Sequence, residues 1–196
     1  MIGMLRGKLV EKHPPLVLID CHGVGYELEA PMSTIYDLPD LGNEVTLFTH
    51  LAIRDDAHLL YGFLTELERT LFKALLKVNG VGTKMALVIL SGMTVSEFSD
   101  CVRSDNWTAL VALPGLGRKK AERLVLDMRD KVDQIIPEKL DSGSPSQSSH
   151  VDDAVSALVS LGYKQSEAEK HVDNLDQKYS SSEEIIRQVL RNVLIK

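Results

Sequence analysis

The sequence predicts an α+β chain in three parts: a small OB-like β-barrel, an all-α domain built on a duplicated helix–glycine turn–helix unit, and a separate three-helix module. Three observations predict this. Residues 1–64 are filled by short, β-branched, partly alternating segments. From Thr65 onward apolar residues recur at helical spacing, interrupted by two glycine clusters. Residues 141–149, Asp-Ser-Gly-Ser-Pro-Ser-Gln-Ser-Ser, have the composition of a flexible linker, which sets off residues 150–196.

In the first part, MLRGKLVEK, PLVLID, GYELEA, EVTLFTHLAI and HLLYGF read as strands. Pro14-Pro15, the Gly23/Gly25 pair and Leu41-Gly42-Asn43 supply turns, and a short helix is expected near Ser33 to Leu38. Five strands with one inserted helix suit an OB-like barrel, although an SH3-like barrel or a sandwich fits the same pattern. In the second part, residues 65–140, Leu67, Leu71, Leu75 and Val78 mark one helix face, and Thr65-Glu66-Leu67-Glu68 offers a capping start. Helical character continues to about Ile136, broken at Asn79–Gly82 and Leu113–Gly117. In the third part, Asp152 is the expected cap of a first helix. Ser166 with Glu169 and Ser181 with Glu184 are the expected capping boxes of a second and a third.

Composition narrows the function classes. No apolar run approaches the ~18 residues needed to cross a bilayer, and Met1 to Val10 lacks the apolar block of a signal peptide. Cys21 and Cys101 show no paired spacing and read as free thiols of a cytoplasmic protein. Net charge is −6, but it is unevenly spread: residues 65–140 carry +2, against −5 for residues 1–64 and −3 for residues 141–196. The bases of the middle part are bunched at Arg118, Lys119, Lys120 and Arg123, so total charge does not exclude a nucleic-acid partner.

The glycine clusters carry the chemistry. Leu75 to Ala86, LLKVNGVGTKMA, repeats as Leu110 to Ala121, LVALPGLGRKKA, at an offset of 35 residues. Gly80/Gly115, Gly82/Gly117, Lys84/Lys119 and Ala86/Ala121 coincide. In each copy a helix ends, a G-x-G turn follows and a new helix begins at once. Glycine permits positive φ and a close approach of backbone to ligand. The new helix offers free N–H groups and the positive end of its dipole, which suits a phosphate oxygen. The apolar residue between the glycines anchors the turn, and the lysine two residues later adds charge. No base edge is read, so binding should be independent of sequence. Two ordinary helix C-caps would explain the glycines but not the matched lysines.

This is the pattern of the helix-hairpin-helix family of DNA-binding elements. Met1-Ile2-Gly3-Met4-Leu5-Arg6-Gly7, Val24-Gly25-Tyr26-Glu27, Leu60-Tyr61-Gly62-Phe63, Val78-Asn79-Gly80-Val81-Gly82 and Leu113-Pro114-Gly115-Leu116-Gly117, in this order, resemble the RuvA family over essentially the whole chain. Only Leu161-Gly162-Tyr163 is distinctive in the last part, where it also resembles ubiquitin-associated three-helix modules. The resemblance implies an OB-fold first domain and a non-enzymatic, structure-selective binder of four-way (Holliday) DNA junctions in recombination and in the SOS response to DNA damage. It also implies a homotetramer or octamer, a third domain that recruits the hexameric ATPase RuvB, and cooperation with the resolvase RuvC.

The candidate DNA-contacting residues are Asn79, Gly80, Val81, Gly82 and Lys84 of the first copy, with Gly115, Leu116, Gly117, Arg118, Lys119 and Arg123 of the second. Arg54-Asp55-Asp56-Ala57 lies between two strands and resembles the family's acidic pin, formed here by Asp55 and Asp56. Its carboxylates would repel phosphates at the junction centre. By itself such a pair also suits a solvated turn.

Competing readings are weaker. The histidines show no metal-ligand spacing, and no cofactor is expected. Gly80-Val81-Gly82-Thr83-Lys84 follows a helix and lacks the Walker spacing, so ATP hydrolysis must come from a partner. An enzyme of the glycosylase, ligase or nuclease kind would need a catalytic centre. Asp127 and Asp130, at i, i+3 on a basic helix, are placed to pair with Arg123, Lys131 or their neighbours. Trp107 suits core packing better than base stacking. A ubiquitin-type adaptor acting through the last part is the third class.

Overall fold

The computed structural model describes residues 1–55, 57–135, 147–173, 175 and 181–194. They fall into two compact units, Met1–Glu138 and Lys139–Lys196. No single helix among the described residues is long and apolar enough to cross a membrane.

In the first unit β1 (Met4–His13), β2 (Leu16–Cys21), β3 (Val24–Glu29), β4 (Glu44–Ile53) and β5 (His58–Phe63) close a barrel in the order β1-β2-β3-β5-β4. The closing pair, β3 with β5, is parallel through Glu29 and Tyr61, and the other pairs are antiparallel. Helix α1 (Met32–Asp37) lies between β3 and β4, where the inserted helix was expected. Closure with this order decides for the OB-like arrangement over a sandwich. Alternation drives it: Leu5, Leu9, Val17, Ile19, Leu28, Val45 and Leu47 point inward and are buried. Gly7 is required on β1, because a Cβ there would stand 2.2 Å from the Asp20 carbonyl oxygen.

The helices follow directly. Thr65 caps α2 (Glu66–Leu76) with the predicted box, its hydroxyl accepting from the Glu68 amide at 3.2 Å and Glu68 accepting from the Thr65 amide at 2.9 Å. Then come α3 (Thr83–Gly92), α4 (Val95–Arg103, boxed by Thr94 and Glu97), α5 (Trp107–Val111) and α6 (Arg118–Ile135). Their core is aliphatic around Phe72 and Phe98, and it does not stop at the strand–helix boundary. Tyr61 and Phe63 of β5 belong to it, with ring centroids 5.0 and 4.9 Å from that of Phe72. Residue 64/65 is therefore a change of element type and not a break in packing.

In the second unit α7 (Gln147–Ser160), α8 (Gln165–Asp173) and α9 (Ser182–Leu194) enclose Ala154, Leu158, Ala168, Val172, Ile185 and Val189. Three local expectations differ. The stretch read as linker, 141–149, gives its last three residues to α7, and residues 141–146 lie outside the described residues. Asp152 sits inside α7 and not at its cap, because serine-rich sequence can start a helix as well as a loop. Helix α8 begins at Gln165, one residue before Ser166; its entry is held by Glu167, which accepts from the Lys164 amide at 3.4 Å. Ser181 does cap α9, accepting from the Glu184 amide at 3.3 Å. Gly162, at φ +102°, turns the chain between α7 and α8, and Tyr163 packs partly buried beside the His171 ring.

Candidate nucleic-acid interface

The repeat in sequence is a repeat in geometry. In the first turn Gly80 adopts φ +85° and in the second Gly115 adopts φ +81°, a left-handed conformation in which any L side chain is strained. The amide of Val81 donates to the Val78 carbonyl at 3.1 Å, and that of Leu116 to the Leu113 carbonyl at 3.2 Å. Ala86 donates to the Gly82 carbonyl and Ala121 to that of Gly117, both at 3.0 Å. Every one of these bonds maps onto its partner by the same offset.

The two glycines of each pair have different duties. Gly82 is the N-cap of α3 in ordinary extended conformation, φ −93° and ψ 178°, with no side-chain cap. A Cβ placed at Gly82 or at Gly117 meets nothing within 4 Å. The second glycine is thus not required by the fold around it; it keeps the space over the helix N-terminus open. With no side chain to cap it, α3 leaves its first-turn amides available to an external acceptor.

The residues between the glycines are anchors, as expected. Leu116 is buried, whereas Val81 is half-buried against the same core. Leu116 can therefore meet a ligand only through its backbone. The turns also touch each other through α3: a Cβ on Gly115 would lie 3.3 Å from the Met85 methyl, and one on Gly92 would lie 2.3 Å from Leu113 Cδ2.

A cleft of about 270 Å³ joins the two elements. Val78, Asn79, Gly80 and Val81 of the first turn form one wall, and Lys119, Lys120 and Arg123 of α6 form the other. The second repeat's cations therefore face the first repeat's turn. Lys84, Lys119 and Lys120 are exposed and make no ion pair among the described residues. The arginines are more committed. Arg118 stacks over the Trp107 ring at 4.8 Å and pairs with Glu122 at 2.8 Å, while Arg123 lies 3.6 Å from Asp127. Trp107 is thereby accounted for by packing, and Asp127 by its arginine. Lys120 is the cleft residue missing from the predicted set; its signal was the Arg118-Lys119-Lys120 run opening a helix.

Asp55 stands at the tip of the β4–β5 hairpin. Arg54 donates to the Ala57 carbonyl at 2.9 Å and Ala57 to that of Arg54 at 3.4 Å, leaving two residues in the loop. Asp55 is exposed, and Asp56 lies outside the described residues. Beside this hairpin the ionisable groups are tuned toward neutrality. Burial raises the Tyr61 hydroxyl above its ordinary value, against a smaller opposing effect of the neighbouring Thr83 side chain. Burial, then the charges of Lys73 and Arg69, lower the His50 pKa. Cys21 and Cys101 are free, and burial followed by neighbouring carboxylates raises both thiols, so they stay protonated. No three potential metal ligands cluster among the described residues.

The family model described as RuvA N terminal domain matches residues 1–62, SAM-like helix-hairpin-helix tandem matches 72–130, and RuvA, C-terminal domain matches 149–193. The Holliday junction branch migration complex subunit RuvA of Thioalkalivibrio sulfidiphilus is 54% identical over 99% of this chain and 100% of its own length. The chain belongs to the RuvA family. The subunits so named from Nitrosococcus oceani and Colwellia psychrerythraea are 51% and 47% identical, with the same coverage of both chains. The RuvA resemblance thus extends through all three parts of the sequence, including the C-terminal unit whose own motifs were sparse.

Proposed function

We propose that this chain binds four-way DNA junctions by their backbones, without reading sequence, and serves as the non-catalytic subunit of a branch-migration complex. The observation that carries this is the pair of glycine turns with matching hydrogen bonds, the first of which shares a cationic cleft with the helix that follows the second, in a chain with full-length RuvA relatives. Asn79 to Gly82 with Lys84, and Gly115 to Lys119 with Arg123, are its DNA contacts; Lys120 joins them. Asp55 and Asp56 are the acidic pin, whose carboxylates disfavour phosphates at the crossover.

One chain offers few phosphate contacts, so affinity comes from several copies engaging several arms, in a homotetramer or octamer. Residues 150–196 dock the RuvB ATPase, which supplies the energy for strand movement, and RuvC resolves the same junction. The division into residues 1–64, residues 65–140 and a C-terminal module that opens with α7 follows those roles. The complex works in the cytoplasm.

The test is a gel shift comparing a four-way junction with linear duplex of equal length at moderate salt. Clear preference for the junction is expected. Equal affinity for the two overturns the proposal.

A further inference from the structure

The repeat extends upstream of the two glycine turns. Phe72 and Trp107 stand at the same 35-residue offset, each eleven residues before the residue that opens the next helix, Thr83 and Arg118. The two copies use this aromatic differently. Phe72 is fully buried against the Tyr61 and Phe63 rings, and Thr83 carries no charge. Trp107 is half-buried against the helical core, and the Arg118 guanidinium lies over its ring, 4.8 Å from the centroid. Ring and guanidinium sit on elements that are locked together. The Trp107 amide donates to the Asp105 carbonyl at 3.0 Å, and the Asp105 carboxylate pairs with Arg129 of α6, the helix that Arg118 opens.

Arg118 is held on two sides and open on the third. Its Nε donates to Glu122 at 2.8 Å, one turn along α6. Its two Nη groups make no hydrogen bond among the described residues, and the side chain is 71% exposed. A guanidinium with that edge free meets a phosphate through two parallel N–H donors. Resting it flat on a ring removes rotamer freedom before the ligand arrives, and the uncharged ring leaves the full positive charge for the phosphate. Glu122 is the weaker holder, an exposed pair that a phosphate can replace. Arg118 also stands outside the cleft, whose cations are Lys119, Lys120 and Arg123. We propose that Trp107 is a positioning residue that presents Arg118 to a further backbone phosphate beside the cleft. The second glycine turn then reaches the DNA strand at one more point than the first. Trp107 itself touches no DNA, and the assignment rests on the junction-binding function proposed above.

The test uses the full chain, a labelled four-way junction and an equal-length duplex. Arg118→Ala should weaken junction binding about tenfold or more, and make the log K against log salt slope shallower by ~0.9, as for one lost phosphate contact. Trp107→Leu keeps apolar bulk against the core and removes the π face; it should weaken binding about two- to fivefold. Trp107→Phe keeps a ring and should lose less than Trp107→Leu. The contact is also followed in the free chain, because Trp107 is its single tryptophan. Arg118→Ala should move the indole emission to longer wavelength and raise its quenching by acrylamide.

Coupling separates positioning from packing. On an Arg118→Ala background Trp107→Leu should cost nothing further, whereas on a Lys84→Ala background it should cost its full factor. A ring that only packs would weaken binding equally on both backgrounds, and that result overturns the positioning role. Indole emission left unchanged by Arg118→Ala overturns it too; this measurement alters only an exposed side chain and stands even if Trp107→Leu fails to fold. A wild-type salt slope in Arg118→Ala takes Arg118 off the DNA, and the assignment with it. Equal affinity of the wild-type chain for junction and duplex refutes instead the function beneath the assignment.

Discussion

Gly82→Ser separates what the fold needs from what the ligand needs. Gly82 is in extended backbone that any residue adopts, and a side chain there meets nothing within 4 Å. Serine is at least as good an N-cap as glycine, by a few tenths of a kcal/mol. Stability should therefore stay within about 0.5 kcal/mol of wild type, a shift of about 2 °C or less in the melting midpoint. Binding should behave differently. The new Cβ stands in the approach over the α3 N-terminus, and its hydroxyl can take the amide of Lys84 or Met85 that a phosphate would use. A hydrogen bond to a charged group contributes about 1.5–3 kcal/mol, so the loss is about 10- to 100-fold for the turn affected. Gly80→Ser is the contrast: with φ at +85° and open space around it, it should cost about 1–2 kcal/mol of stability through backbone strain alone. The assay is fluorescence anisotropy with a labelled four-way junction, paired with a thermal melt followed by circular dichroism. Wild-type affinity in Gly82→Ser would show that no phosphate sits over that helix end, and the reasoning from the open glycine would fail.

Lys84→Ala and Lys119→Ala should each weaken binding equally across DNA sequences and make the log K against log salt slope shallower by ~0.9; unchanged slopes in both would remove these lysines from the DNA. Replacing Asp55 and Asp56 together by Asn should retain or strengthen junction binding while lowering discrimination against duplex, and a wild-type ratio of dissociation constants would end the pin assignment. A fragment ending at Leu140 should still bind junctions but no longer stimulate the ATPase, because the compact unit closes at Glu138; loss of junction binding would refute that boundary. His50 titrates below the ordinary histidine value in the fold, so its contribution to stability is complete above about pH 6.5 and declines as pH falls, while the unfolded chain takes up the proton. His50→Gln should flatten that part of a melting-midpoint-against-pH curve, and an identical curve would assign the acid sensitivity to other groups.

The gripping element was legible because it is local. A G-x-G turn followed by a helix contains its own instructions, and the 35-residue offset made the second copy confirm the first. The capping box at Thr65 and the serine cap at Ser181 were legible for the same reason, since their partners lie within one turn. The reading at Asp152 and at Ser166 went astray where several polar residues compete to start a helix, a choice settled by which face buries Ala154, Leu158 and Ala168. Trp107, eleven residues before Arg118, takes one face of its guanidinium, a contact that no spacing in the sequence marks.

By itself, then, the sequence determined the repeat, the strand and helix content and the order of the parts, all of which depend on contacts between near neighbours. The tertiary structure alone decided that the strands close into a barrel, because the parallel β3–β5 pairing joins residues 32 apart, Glu29 and Tyr61. It alone placed Lys120 in one cleft with Asn79, and it alone tied α3 to α1 through Ser33 and Ser91. Those pairings span tens of residues. No periodicity marks them, because a hydrogen bond between distant side chains leaves no spacing in the chain for a sequence pattern to register.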